Sequence, residues 1–323
     1  MINCNLCHFG ENSKKVIFRN NNAEPLFNGN TFDWSADCKE NFYRVQKDKK
    51  YNFVSDKGLL SPIWFDFAED FCEGCAIVKI NNQGYNFINA DGKIMSSEWF
   101  WAMTTFHNGF AIVRNLFNEE NFIDKNGDIL FPNRWYDECC DFENGLARIC
   151  DTDKGWNFIT IDGDLLFDEN WIDCIYVEDF VNGFAIIRLN DRSYNFIDID
   201  GNIMFPNKKW DRCYNFYCGC AKVVKGDKEW FINTQGKYIC SSKKYSTLTQ
   251  FNEGFAAVIN NQKGCTFINT QGKEICPNMY FNEAFPFKNG MAKVKTTDWC
   301  YKLLDTSGKL HPFTSEFYNK KNL

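Results

Sequence analysis

The segment Phe71-Cys-Glu-Gly-Cys-Ala-Ile-Val78 decides how this chain is read, because it returns. It comes back as Phe106-His-Asn-Gly-Phe-Ala-Ile-Val113, Phe142-Glu-Asn-Gly-Leu-Ala-Arg-Ile149 and Phe180-Val-Asn-Gly-Phe-Ala-Ile-Ile187. Three more follow: Phe216-Tyr-Cys-Gly-Cys-Ala-Lys-Val223, Phe251-Asn-Glu-Gly-Phe-Ala-Ala-Val258 and Phe287-Lys-Asn-Gly-Met-Ala-Lys-Val294. Gly74, Gly109, Gly145, Gly183, Gly219, Gly254 and Gly290 anchor these seven, and two degenerate copies with Asn5 and Asn41 at the glycine position precede them. The intervals between anchors are 36, 33, 35, 36, 38, 36, 35 and 36 residues, the spacing of a repeat architecture.

A second anchor follows each first one by 12 or 13 residues: Phe18, Phe53, Phe87, Phe122, Phe158, Phe196, Phe231, Phe267 and Leu303. Five residues later stands Ala23 and then, in every other copy, glycine: Gly58, Gly92, Gly127, Gly163, Gly201, Gly236, Gly272 and Gly308. Nine copies fill residues 1–323, so the chain reads as a single repeat domain with no room for a separate catalytic one.

The period-two alternation of Gly-x-Ala-x-Val predicts a half-buried strand, strand A, with small Ala marking a close approach. Segments such as Tyr85–Ile88 predict strand B, closed by an Asn or Asp turn: Asn89, Asp124, Asp198, Asn233, Asn269 and Asp305. Turn chemistry explains these side chains better than catalysis or calcium binding. Strand C is expected after the glycine, as at Ile129–Phe131, Leu165–Phe167 and Ile203–Phe205, with Pro132, Pro206 and Pro277 ending it. An aromatic then leads to the next copy: Trp64, Trp99, Trp135, Trp171, Trp210, Tyr245 and Tyr280, from which a fourth strand or an ordered loop runs on. No stretch has sustained helical periodicity. The expected fold is all-β: tandem meanders that bury their apolar faces on one another. An open β-solenoid or superhelix suits nine copies, and a β-propeller is the alternative.

Composition agrees. The chain is 44% hydrophobic, 24% charged and 17% aromatic, with a net charge of −6. Aromatics suit strands. The acidic balance speaks against a nucleic-acid partner, and the absence of a long apolar run against a membrane span. The N-terminal residues do not resemble a secretion signal, so a cytoplasmic setting with reduced thiols is expected.

The pattern is similar to the bacterial WG (or KWG) β-repeat family. The resemblance rests on Phe-x-x-Gly-x-Ala-x-Val and Asp-x-x-Gly, and covers essentially the whole chain. The name-giving Trp-Gly is replaced by Tyr51-Asn52, Tyr85-Asn86, Trp156-Asn157 and Tyr194-Asn195, so the chain resembles a divergent member. The family has no common activity, so the resemblance implies a repeat scaffold and names no ligand.

Candidate chemistry is thin. His8, His107 and His311 lie in different copies, and no catalytic pair or cofactor loop is visible, so an enzyme is not expected. Cys4, Cys7, Cys72 and Cys75 have zinc-like spacing. Against a metal, Cys75 and Cys220 occupy a slot filled elsewhere by Phe110, Phe184 and Phe255, and Cys38, Cys240 and Cys276 also fall in Phe slots. That pattern favours cysteine as a small core residue. The acids Glu119-Glu120 are expected at an exposed hairpin tip. Surface remains: Tyr51, Tyr85, Trp156 and Tyr194 form either inter-copy core or a ladder for a peptide or sugar. The A–B loops, Asn115–Glu120, Asp151–Gly155 and Asn190–Ser193, are the most variable. A protein partner is the first expectation and a glycan the second.

Overall fold

The computed structural model describes residues 3–9, 13–19, 30–168, 170–240, 245–260 and 262–313, with side chains at 15–19, 30–168, 170–239, 249–260 and 262–313. Among these residues there are only strands and turns, in nine small antiparallel sheets of three or four strands. The all-β repeat reading holds. The chain divides into two compact units, Met1–Glu169 and Asn170–Leu323. The first holds the sheets of copies 1–5 and the second those of copies 6–9. Ala23 and the side chains of Asn5, Cys240 and Tyr245 lie outside the described residues.

Copy 3 shows the unit. A two-residue edge strand, Phe67–Ala68, pairs with strand A, Cys75–Ile80, which pairs with strand B, Gly84–Asn89. The edge strand comes from the connector after the previous copy, so the fourth strand anticipated there exists and joins the following sheet. The connector first touches its own copy: Phe65 exchanges two main-chain hydrogen bonds with Tyr51, 2.8 and 2.9 Å, and Phe100 does the same with Tyr85. These connectors thus lace one sheet to the next. This pairing corrects the aromatic anchor by one residue. Phe65, Phe100, Tyr136 and Phe281 point inward and are buried, while the preceding Trp64, Trp99, Trp135 and Tyr280 are half-buried; among the described anchors only Trp210 already sits in the inward slot.

The Phe-x-x-Gly anchor is a two-residue hairpin tip. Cys72 and Cys75 exchange main-chain bonds around Glu73 and Gly74, whose φ angles are +51° and +82°. Two consecutive positive φ values define the hairpin turn whose sequence signal is Asn-Gly, present at Asn108-Gly109, Asn144-Gly145, Asn182-Gly183 and Asn289-Gly290. The phenylalanine of the tip packs on the strand-B phenylalanine of the copy before. Ring centroids are 4.9 Å apart for Phe53–Phe71, 4.5 Å for Phe87–Phe106, 4.8 Å for Phe196–Phe216 and 4.7 Å for Phe231–Phe251. Such pairs add about 0.5–1.5 kcal/mol beyond the area they bury. Ala76 sits in the cluster with Phe53, Phe65 and Phe71, the close approach that a small residue was expected to allow. Copy 2 inverts the sizes: Cys38 takes the Phe slot and is exposed, and Tyr43 in the Ala slot reaches Phe18 at 5.1 Å instead.

The B–C turns form as the sequence implies. Asn89 Oδ1 accepts from the N–H groups of Asp91 and Lys93, and Asp198 Oδ1 from those of Asp200 and Asn202. Gly92 does more than turn. A Cβ there would lie 2.2 Å from the Leu60 carbonyl oxygen of the copy before. Strand C itself is the main departure. In copies 3–6 and 8 it shrinks to one bridge, such as Ile123↔Ile129, Ile159↔Leu165 and Ile197↔Ile203. In copies 3–6 a buried asparagine on strand B stands beside the shortened ladder, although copy 2 keeps a two-residue strand C next to the buried Asn52 and copy 8 has Thr266 in that slot. Asn86, fully buried, donates from Nδ2 to the carbonyls of Ser96 and Glu98, 2.9 and 2.8 Å, and its Oδ1 accepts from the Phe87 N–H at 2.7 Å. The amide pairs carbonyls of the chain that follows the turn.

Candidate functional site

The rings singled out in the sequence start strand B, at the end of each sheet where strands A and B turn. There the first strand-B residues face a strand-A residue and an edge-strand residue across the sheet. In copy 3 the row is Phe67, Lys79 and Tyr85; in copy 6 it is Tyr176, Arg188 and Tyr194. Lys79 Nζ lies 4.5 Å from the centroid of the Tyr85 ring, and Arg188 Cζ 5.7 Å from that of Tyr194. Tyr51, Tyr85 and Tyr194 are half-buried, whereas Trp156 is only 3% exposed. The four occupy equivalent places in separate sheets, and in copy 4 the equivalent residue is Glu120, which interrupts the row.

Glu120 corrects a second expectation, since it is 7% exposed rather than at a hairpin tip. Its carboxylate accepts from Arg114 Nε at 3.0 Å and from the Cys139 N–H of the next sheet at 2.7 Å. A charge buried in an aromatic slot is held because both of its oxygens are satisfied.

The cysteines do not assemble. Cys72 is exposed and Cys75 buried on opposite sides of their tip. Cys4 and Cys7 lie on the strand Asn3–Phe9, and their side chains are outside the described residues. Among the described residues no group of three or more His, Cys, Asp or Glu is placed to hold a metal ion. Burial pushes the Cys75, Cys139 and Cys213 thiols up, and Cys150 is pushed up to about 11 by burial and the acids around it. Protonated thiols are poor nucleophiles and ligands.

A recurring device escaped the sequence reading. The residue after the inward aromatic is usually aspartate, and it caps the A–B turn of the sheet that follows. Asp33 Oδ2 accepts from the Asp48 N–H at 2.8 Å, Asp66 Oδ2 from Asn81 at 3.0 Å, Asp137 Oδ2 from Thr152 at 2.6 Å and Asp211 Oδ2 from Gly226 at 2.6 Å. Hydrogen bonds from Lys15 and Lys50 hold the Asp33 and Asp66 carboxyls below the usual carboxylate range. The signal was the Phe65-Asp66, Tyr136-Asp137 and Trp210-Asp211 pairing in the sequence.

Copy 4 breaks this rule. Trp101 stands in the aspartate slot, its N–H bonded to the Arg114 carbonyl. The turn it adjoins caps itself, through Asn115 Oδ1 and the N–H groups of Phe117 and Glu119. At this corner Trp101 is 64% exposed, Leu116 80% and Phe117 85%. Copy 9 departs in a related way. Asn282 takes the aspartate slot, and Trp299 occupies a left-handed turn position, φ +66°, with 70% of its surface exposed.

The model of the WG containing repeat matches residues 59–83, 196–228, 231–263 and 266–298. These four matches support membership of the WG-containing repeat family. Three of these matches start in strand B and end near the next A–B turn, so the WG repeat straddles two sheets through the connector. Among solved structures, the chain is similar to the computationally designed Ika8 protein at 13% identity, covering 84% of this chain and 95% of that one, with a TM-score of 0.33. It is also similar to BamB from Moraxella catarrhalis (12% identity, 87% and 94% covered, TM-score 0.33) and to a eukaryotic initiation factor (11%, 92% and 92%, TM-score 0.37). No curated protein matches the chain.

Proposed function

We propose that this WG repeat chain is a non-catalytic scaffold that binds another protein through the A–B-turn end of its sheets. The copy 4 corner, Trp101, Leu116 and Phe117, is the main contact. The observation that carries the reading is the local departure from the chain's own rule. Where the sheets of copies 2, 3, 5 and 7 have a capping aspartate and a polar turn, copy 4 places three large apolar side chains in water. Exposing them has no structural return, and breaks in an otherwise consistent pattern are where function is expected. The loop is one of those the sequence marked as variable. The reading includes a cytoplasmic setting, where the thiols of a chain with 16 Cys stay reduced.

The test is affinity capture from lysate of the protein's own host, with the intact chain and a Phe117→Ser variant side by side. A protein retained by the first and lost by the second supports the reading. Identical capture by both overturns it.

A further inference from the structure

Copy 6 sets two arginines around one tyrosine. Arg188 on strand A lies opposite Tyr194 on strand B, with its Cζ 5.7 Å from the centroid of that ring. The second arginine comes from the edge strand of copy 7. Tyr194 exchanges main-chain hydrogen bonds with Trp210, and Arg212 follows two residues later. The strands Tyr194–Asp198 and Arg212–Cys213 approach within 8 Å between Cα atoms. Arg212 Nη1 lies 3.4 Å from the Tyr214 hydroxyl, and its guanidinium is pushed up by Tyr214 first and by Tyr194 after it.

Equivalent cations in other copies are neutralised in place. Arg114 Nε bonds the Glu120 carboxylate at 3.0 Å, and Lys295 Nζ bonds that of Glu283 at 3.1 Å. In copy 3 the residue whose N–H meets the Lys79 carbonyl is Asp66; in copy 6 the corresponding N–H, on the Arg188 carbonyl at 2.8 Å, belongs to Ile175. Among the described residues no carboxylate pairs with Arg188 or Arg212. The acids around them are engaged elsewhere: Asp191 with Lys209, Asp211 with the Gly226 N–H at 2.6 Å and Glu229 with Lys222 at 3.6 Å. Glu178 lies beside Cys213, whose thiol is pushed up by burial and then by this acid.

Arg188 is half-buried, and its Nε is buried without a hydrogen-bond partner. A guanidinium partly stripped of water and left unneutralised carries a cost that a bound anion offsets. The arrangement also selects among anions. Each guanidinium offers a planar fork of donors, and the tyrosine hydroxyl between them adds one more. A carboxylate, with two oxygens, fills one fork. A phosphate monoester has three acceptor oxygens and about −1.5 to −2 charge at pH 7, enough to engage both.

We propose that Arg188, Tyr194 and Arg212 bind a phosphate monoester. All three residues lie in the unit Asn170–Leu323, and none belongs to the copy 4 corner. The site therefore goes beyond the protein-contact reading and stands or falls without it.

Titration calorimetry of the full chain with phosphoserine, serine and inorganic phosphate tests it, at about 50 mM salt and about pH 7.5. Phosphoserine is expected to bind with a dissociation constant of about 1 mM or below, and serine not to bind. Salt at about 500 mM is expected to weaken binding at least about threefold. Arg188→Gln and Arg212→Gln are each expected to weaken it at least about tenfold. Arg188→Lys, which keeps the charge and loses the fork, is expected to recover only part of that loss. Arg212 is exposed, so its variant keeps the fold whatever Arg188→Gln does. Tighter binding of phosphoserine than of phosphate supports the proposal and makes the ligand a phosphorylated side chain. The reverse order supports it and makes the ligand the free ion. Failure of both phosphate compounds to bind, or unchanged affinity in Arg212→Gln, overturns the proposal.

Discussion

Copies 6 and 9 lie in the same half of the chain and complete their sheets by different means. In copy 6, Asn195 is fully buried on strand B, donates to the carbonyls of Phe205 and Lys208 at 2.8 and 2.9 Å, and accepts from the Phe196 N–H. The chain after the turn makes one bridge, Ile197↔Ile203, and leaves. In copy 9 the same position holds Lys302, and strand C becomes regular. Leu310–Pro312 pairs as Leu304↔Leu310, Leu303↔His311 and Lys302↔Pro312, reaching back to the residue where the asparagine would be. Copy 7 behaves like copy 9, with Trp230 in the asparagine slot and Tyr238–Cys240 as strand C. In copies 6, 7 and 9 the buried amide and the longer ladder alternate, but they are not exclusive: copy 2 has both Asn52 and two strand C pairs, and copy 8, with Thr266 in the slot, makes one bridge. Buried carbonyls must be paired, and either a side chain or a neighbouring strand serves.

The largest expected effect attacks that alternation directly. Asn195→Ala leaves the Lys208 carbonyl and the Phe196 N–H without their partner, the Phe205 carbonyl keeping the Lys208 N–H, and is expected to cost about 2–4 kcal/mol. Lys302→Ala removes no bond on which strand C depends and is expected to cost less than about 0.5 kcal/mol. Urea unfolding of the two variants measures the difference, and equal losses would break the comparison. Next in size is the turn glycine, which serves both kinds of copy alike. A Cβ on Gly92, in an asparagine copy, would meet the Leu60 carbonyl oxygen at 2.2 Å, and one on Gly308, in copy 9, the Ile275 carbonyl oxygen at 2.4 Å. Gly92→Ala and Gly308→Ala are each expected to cost about 2 kcal/mol or more, from the positive φ and the clash together. A large difference between them would show that the close approach depends on how strand C is held.

How much of this was legible follows from sequence distance. The repeat, the Asx turns and the glycines lie within a few residues of one another, so spacing alone exposes them. The role of Asn195 was hidden because asparagine before an apolar run looks like a surface polar residue, and its partners are 10 and 13 residues away. The aspartate cap was hidden for a similar reason. Asp66 and the Asn81 N–H are 15 residues apart and on either side of the hairpin tip. Glu120 was misplaced because an acid next to Glu119 reads as solvent-facing, and only the next sheet supplies the Cys139 N–H that lets it be buried. The copy 4 corner could be seen only as a variable loop, because its significance depends on the cap that Trp101 replaces.

The cap also gives the sheets a pH dependence that copy 4 lacks. The Asp66 carboxyl is held low, first by the hydrogen bond from Lys50 and then by the Asn81 N–H. A depressed carboxyl contributes stability that is complete above its unfolded pKa, near about 4, and is lost as pH falls through the lower folded value. Asp66→Asn is therefore expected to lower the unfolding midpoint slightly at neutral pH and to match the wild type at about pH 2. An unchanged gap at acid pH would mean that the contribution is not that of the carboxylate.

The smallest effect concerns Trp299. At the equivalent place in their A–B turns, Asn118 and Arg192 also have φ near +68°. Asparagine adopts this conformation readily, and a bulky ring does so at a cost. Against that cost stands the contact with Lys295, whose ammonium lies 4.6 Å from the ring centroid. Exposed contacts of this kind are worth about 0.5–1 kcal/mol, and left-handed strain about 1–3 kcal/mol. Trp299→Asn is therefore expected to raise stability by about 0.5–1 kcal/mol, read from the shift of the urea midpoint. A gain means that copy 9 keeps a destabilising tryptophan at its surface, which only a role in contact accounts for. A loss means that the ring earns its place by local packing, and the face of copy 9 then needs no partner to explain it.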